Sequence, residues 1–279
     1  MRAQITYIFL ALVLFATGSL AHAASRYTVE TRITEKGKTI VGNEVITIDG
    51  NRARIDVLGA STKVTEKTPY MLTTDGGKNW YVVDEKDRFC AEVETEKFFS
   101  ELGIMGRRVG KLVAANISTP QIKVVFNKPG PKMLGEKTRH VKLVRTLGAN
   151  ARFFSKKYEY SGELVNEIWY AESVPVNPIR KKWISAISNT GVKELDELLQ
   201  GWVKTVKGAV IKEEKTLVLI DKTKKQKDTF HEVVEVKTVE EIPGSKIGAG
   251  TFKVPVCTSD ETSVTNAAKK LFSMGQASM

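Results

Sequence analysis

Arg52–Val57 alternates strictly, with Ala53, Ile55 and Val57 on one parity and Arg52, Arg54 and Asp56 on the other. A period of two with one apolar parity is a strand with one dry face and one wet face. Turn signals surround it throughout Val45–Val93: Asp49-Gly50-Asn51, Asp75-Gly76-Gly77 and Glu85-Lys86-Asp87. Glycine supplies the positive φ that tight hairpins need. Upstream, Arg26–Thr34 and Lys38–Asp49 are rich in Val, Ile and Thr and flank Glu35-Lys36-Gly37, a further hairpin signal. Pro69–Thr74, Asn79–Asp84 and Arg88–Val93 complete an antiparallel meander of about six strands.

Strand signals return later in the chain. Gln121–Asn127 puts Ile122, Val124 and Phe126 on one parity, and Pro129-Gly130-Pro131 is a hard turn. Lys137–Thr146, Arg152–Glu159 and Leu164–Ala171 follow as separate strands, and Pro175 and Pro178 end the sheet. Ala209–Asp221 and Thr229–Glu241 are long strands around Lys222–Lys227, and Thr251–Val256 reads as the final strand.

Helical spacing occurs in three places. Phe98, Leu102, Val109, Leu112 and Val113 have it, but Gly103, Gly106 and Gly110 interrupt the run, each costing about 1 kcal/mol against alanine. This predicts a broken helix, or an ordinary one whose glycines permit close approach to the sheet. Within Ile179–Lys207, Leu195, Leu198, Leu199, Trp202, Val203 and Val206 form an apolar stripe suited to covering the concave side of a sheet. Thr258 and Glu261 form a capping box for a last helix carrying Val264, Ala268, Leu271 and Phe272.

Arg2, the apolar run Ile5–Gly18 and Ala21-His22-Ala23 read as a secretory signal cleaved after Ala23. The run falls short of the roughly 20 residues of a membrane span, and no second long apolar run follows. The expectation is a soluble exported protein, of the bacterial periplasm and without a lipid anchor, since the first cysteine is Cys90. Removing the signal takes one base, Arg2, and lowers the net charge from +11 to +10. Such an excess serves solubility or attracts anionic partners. Lys222, Lys224, Lys225 and Lys227 are the densest cationic cluster, suited to an anionic envelope surface or to a solvated hairpin tip. In an oxidising compartment Cys90 and Cys257 can pair or remain separate buried thiols.

Motifs for catalysis are absent from the sequence. His140 and His231 lie far apart, outside metal-ligand spacing, and there is no CxxC, G-x-S-x-G or phosphate-binding loop. The expectation is a binding or structural protein without cofactor, metal or nucleic-acid partner rather than an enzyme. A hydrolase would need a cleft bringing a serine or an acid to one of the two histidines. Trp80, Tyr81, Phe126, Phe153, Phe154, Trp169, Tyr170 and Trp202 fall on predicted sheet faces or the covering helix, where they line an apolar pocket or fill a core. For a pocket, the lining set is Ile55, Val57, Trp80, Val82, Phe126, Trp169, Leu198 and Trp202.

The succession Ile48-Asp49-Gly50-Asn51, Arg52–Val57 and Leu72–Asp84 resembles the periplasmic lipoprotein carriers of the LolA/LolB type, and more closely their uncharacterised exported relatives. Glu167–Ala171, Lys207-Gly208-Ala209 and Thr251–Pro255 fit the same plan, so the resemblance spans about Arg26–Val256. It implies an α+β, mainly antiparallel β fold: an unclosed β-barrel, or strongly curved sheet, with helices packed on the concave side. A signal peptide at 1–23, one half-barrel domain at 24–257 and a C-terminal helix and tail at 258–279 are the implied divisions. The resemblance also implies an apolar cavity for acyl chains in some members. Those carriers hold an Arg-Pro pair before the first tight turn, where this chain has Ile48-Asp49-Gly50, so no latch residue and no lipoprotein transport carries over.

Overall fold

The computed structural model describes residues 24–101, 104, 116–118, 121–153, 156–187, 196, 205–243, 246–257, 266–267 and 269–270. The expected signal sequence, the three helix-interrupting glycines, Leu198, Trp202 and the last capping box lie outside these residues.

Among the described residues twelve strands form one sheet: β1 (Ala24–Glu35), β2 (Lys38–Asp49), β3 (Arg52–Gly59), β4 (Tyr70–Thr73), β5 (Asn79–Asp84), β6 (Phe89–Glu94), β7 (Asn116–Ile117), β8 (Gln121–Pro129), β9 (Arg139–Phe153), β10 (Lys156–Ala171), β11 (Ala209–Asp221) and β12 (Gln226–Ile242). Their order is β6-β5-β4-β3-β2-β1-β12-β11-β10-β9-β7, with β8 also on β9, and the pairings are antiparallel. The sheet is curved and unclosed, as expected, with β6 at one edge and β7 and β8 at the other. Its middle is the pairing of β1 with β12, from Ala24 opposite Ile242 to Glu35 opposite Phe230.

Turn chemistry fixes the first half. Lys36 and Gly37 both have positive φ, which gives the two-residue hairpin its tight geometry between β1 and β2. The β2–β3 register places Ile46 opposite Ile55 and Ile48 opposite Ala53, so the apolar parity read from sequence lines one face. That face continues through Met71, Val82 and Ala91. Two helical segments cover it: α1 (residues 95–101) and α2 (Pro178–Ile187). Asn177 caps α2, its side-chain oxygen accepting from the Ile179 N–H at 3.0 Å, and Pro178 takes the first position, where its missing N–H costs nothing. Phe98 and Phe99 from α1 and Trp183 from α2 pack edge-on around Trp80, with Trp80 and Trp183 centroids 4.9 Å apart.

Gly77 sits at φ 83°, and a Cβ there would lie 2.7 Å from the Pro178 carbonyl oxygen and 2.9 Å from Ile179 Cα. The β4–β5 turn therefore touches the backbone of α2. Gly77→Ala is expected to cost roughly 2–4 kcal/mol, from the left-handed backbone and the forced separation together. A urea melt with an unchanged midpoint would refute that contact.

Three expectations need correction. The segment Leu147–Ala151 separates no strands: β9 runs through it to Phe153, and Gly148 lets the Ser118 hydroxyl oxygen approach to 3.0 Å of where a Cβ would stand. The expected strand Arg152–Glu159 is instead divided between the end of β9 and the start of β10, which continues unbroken through Leu164 to Ala171. In β8 the register shifts between Val124 and Phe126, so Phe126 leaves the parity of Ile122 and Val124. Thr251–Val256 is no strand. Its neighbourhood bonds locally, Thr251 N–H to the Gly248 carbonyl and Lys253 N–H to the Gly250 carbonyl. Phe252 instead packs on the outer face of the sheet among Tyr70, Leu72 and Val83, and the Arg52 guanidinium lies 4.8 Å from its ring centre. Cys257 follows, joined by a disulfide to Cys90 of β6 with 5.1 Å between Cα atoms.

Candidate functional site

Paired residues of antiparallel strands share a face, so the register can be read as rows across the concave side. The innermost rows are apolar. Val141, Ile168 and Val234 are buried, as are Tyr170, Val236 and Val29 beside them. Farther along the same strands the parity stays inward but the chemistry changes. Glu213 lies opposite Ile168 and Val234, while Lys215 lies opposite Asn166 and Glu232. Arg145 follows, opposite Leu164.

These five polar side chains form one buried belt. Asn166 and Glu213 are 0 % exposed, Glu232 1 %, Arg145 4 % and Lys215 6 %. Arg145 donates to the Asn166 side-chain oxygen, and the Asn166 amide donates to Glu213 Oε1 at 2.6 Å. Lys215 Nζ donates to Glu232 Oε2 at 2.7 Å and stands 3.4 Å from Glu213 Oε2. Arg180 of α2, buried and paired with Glu44, adds a favourable charge near Glu232.

Burial pushes the carboxyls of Glu213 and Glu232 above the usual glutamate range, against the pull of Lys215. Burial works to lower Lys215, but its two carboxylate neighbours together outweigh that and raise it above the ordinary lysine value. Burial brings Arg145 down to about 10 while Glu213 pulls the other way. The belt brings two basic and two acidic side chains together with one amide. It fixes a polar layer inside the sheet.

Beyond the belt the inward parity turns apolar again. Leu164 lies opposite Leu217, and Leu217 opposite Phe230. Leu164, Leu217 and Leu219 are only half-buried, as are Ile33 and Ile40 on the neighbouring strands. The concave face is thus layered: a filled core, a buried ionic belt and a half-open apolar rim.

The residues expected to line a pocket divide accordingly. Ile55, Trp80 and Val82 are 0 % exposed, and Val57 packs against them, within the aromatic core that α1 and α2 fill. Phe126 and Trp169 are corrected to the convex face. Phe126 pairs with Lys142 and Trp169 with His140, on the parity opposite Leu143 and Ile168. There His140 stacks on Trp169 with centroids 4.2 Å apart, Phe126 meets His140 edge-on, and Lys128 and Lys212 lie over the outer rings. Leu198 and Trp202 lie outside the described residues.

The two histidines are each engaged on this outer parity. His140 Nε2 is 3.1 Å from Glu167 Oε2, and His231 Nδ1 is 3.2 Å from Thr216 Oγ1. Lys142 holds Glu167 below its ordinary range. Among the described residues no group of three or more His, Cys, Asp and Glu side chains is placed to hold a metal ion, and no helix is long and apolar enough to cross a membrane. Lys222, Lys224, Lys225 and Lys227 are exposed around the β11–β12 turn, with Lys222 2.9 Å from Glu159.

The belt has a sequence signal that no motif captures. Glu213 and Lys215 share the parity of Leu217 and Leu219, and Glu232 shares that of Phe230 and Val234. A charge in phase with the apolar residues of a long strand marks a buried polar contact.

No protein-family model matches the chain, and no curated protein matches it. Among solved structures, it is similar to a domain assigned to outer membrane lipoprotein sorting from Vibrio parahaemolyticus, with 7 % identity and a TM-score of 0.29 over 83 % of this chain and 89 % of that one. It is also similar to a DUF1329 family protein from Desulfovibrio piger, with 9 % identity and a TM-score of 0.29 over 84 % and 90 %. The fold itself rests on the sheet's own register.

Proposed function

We propose that this chain is an exported, soluble binding protein that holds an acyl chain or another apolar ligand against the concave face. The observation that supports this reading is the half-buried rim of Leu164, Leu217 and Leu219, set beyond a fully buried ionic belt. Apolar side chains on the inward parity of a curved sheet ordinarily pack under a covering element. Each left partly in water forgoes burial worth up to roughly 1.5–3 kcal/mol. An apolar ligand recovers it. The ionic belt sets the depth of entry, because an alkyl chain pushed past Leu217 would strip Arg145 and Lys215 of their partners. The ligand site is accordingly assigned to the rim rather than to Ile55, Trp80 and Val82.

Native mass spectrometry of the purified protein, followed by lipid extraction and uptake of a fluorescent fatty acid, tests this. Bound lipid or saturable uptake is expected, weakened at least about tenfold by Leu217→Asp, which places a charge on the apolar rim. Absence of both lipid and uptake would overturn the reading.

A second reading, an envelope protein engaging anionic partners, is favoured by the exposure of Lys222, Lys224, Lys225 and Lys227. Binding to anionic polysaccharide that falls with salt and with neutralisation of those four lysines would support it.

A further inference from the structure

We infer that the edge formed by β8 and the turn after it is a contact surface for an anionic lipid bilayer. From Leu102 to Gly135 the chain contains no Asp or Glu. Within the described part of that stretch, Lys123, Lys128 and Lys132 are all exposed. Exposed apolar groups accompany them: Val124 at 48 %, Val125 at 45 % and Leu134 at 40 %. The acid that closes the turn, Glu136 opposite Met133, is half-buried and accepts from the Ser173 hydroxyl at 2.6 Å. Apolar tips beside cations suit a surface of acyl chains beneath phosphate headgroups.

The backbone separates this partner from the obvious alternative. A sheet edge can also bind an extended peptide by adding a strand, which needs an uninterrupted ladder of N–H and C=O groups. Here Val125 is the extra residue of a bulge, and Pro129 removes an N–H. Such devices blunt strand addition. They leave side-chain contact with a membrane intact and put two adjacent valines in solvent at once. The lysine-rich β11–β12 turn differs in composition: Asp221 and Asp228 flank its lysines, and Glu159 engages Lys222.

This surface is separate from the rim, so its test stands apart from ligand binding. The mature chain is sedimented with vesicles of phosphatidylglycerol mixed with phosphatidylcholine, and with phosphatidylcholine alone. Binding is expected only to the anionic vesicles and is expected to fall in high salt. Each of Lys123→Ala, Lys128→Ala and Lys132→Ala is expected to weaken it about fivefold. Val124→Ser combined with Val125→Ser is expected to weaken it while fatty-acid uptake is unchanged. Equal binding to neutral vesicles, no response to these five substitutions, or loss only on neutralising the Lys222–Lys227 turn would overturn the assignment. So would capture of an acidic extended peptide in place of vesicles.

Discussion

Lys215→Met is expected to destabilise the fold by about 3–5 kcal/mol. The side chain is 6 % exposed and stands between two buried carboxylates, at 2.7 Å from Glu232 and 3.4 Å from Glu213. Removing it leaves both anions beneath the sheet with their main cation gone. The cost is that of uncompensated buried charge, not of one lost hydrogen bond. A triple variant, Lys215→Met with Glu213→Gln and Glu232→Gln, is expected to recover most of the loss. Recovery would identify desolvated charge as the cause, whereas a triple variant as weak as the single one would point to lost packing.

The same belt sets a pH dependence. Glu213 and Glu232 have raised pKa values in the folded chain, so their contribution is fully present below the ordinary value of 4.5 and is lost as pH rises through the folded value. Lys215 is also raised, so its contribution is present below 10.5 and lost at higher pH. Glu167 and Glu235 are lowered and act in the opposite sense, contributing above 4.5 and losing that contribution as pH falls. Glu213→Gln is therefore expected to flatten the decline in stability that sets in as pH rises above 4.5. Urea midpoints across that range that run parallel to those of the wild type would refute it.

The double variant Cys90→Ala with Cys257→Ala is expected to lose about 2–5 kcal/mol. The bond closes a loop of 167 residues, for which the chain-entropy model gives about 5 kcal/mol. It also anchors a segment whose described backbone bonds are local, leaving Phe252 and Ile247 to hold it on the outer face. Residues 246–257 should become the first site of protease cleavage, with the concave core intact. A reduced wild type as stable and as protected as the oxidised one would refute the role.

The meander was legible because its signals are local. The alternation through Ala53, Ile55 and Val57 and the glycines at 37, 50, 76 and 77 each decide a face or a turn without distant partners. The breaks were harder. Leu147–Asn150 carries turn-like residues, yet the paired strands on both sides keep it extended. The bulge at Val125 has no mark in the apolar pattern, and it moved Phe126 to the other face. Trp169 is not a lining residue for a different reason: it lies on a strand the sequence marks, but on the parity opposite Ile168. Aromatic size suggested an interior position, while the neighbours Lys212 and His140 fix a polar outer row. The ionic belt takes its side chains from four strands, β9, β10, β11 and β12, so its charges become partners only once those strands lie side by side.

The seam between β1 and β12 has a kinetic consequence. Ala24 meets Ile242 there, so the middle of the sheet joins the first and the last of the described strands. The hairpin of β1 and β2 can form within microseconds, but its other flank stays open until β12 arrives. Loop closure over such a distance makes this a late event, and contacts of long sequence separation slow folding. Until then two half-sheets each expose a raw central edge, far less guarded than the bulged and lysine-flanked β8. A chain halted before residue 226 lacks β12 altogether and cannot close the seam, so completion of the sheet waits on the last of the described strands.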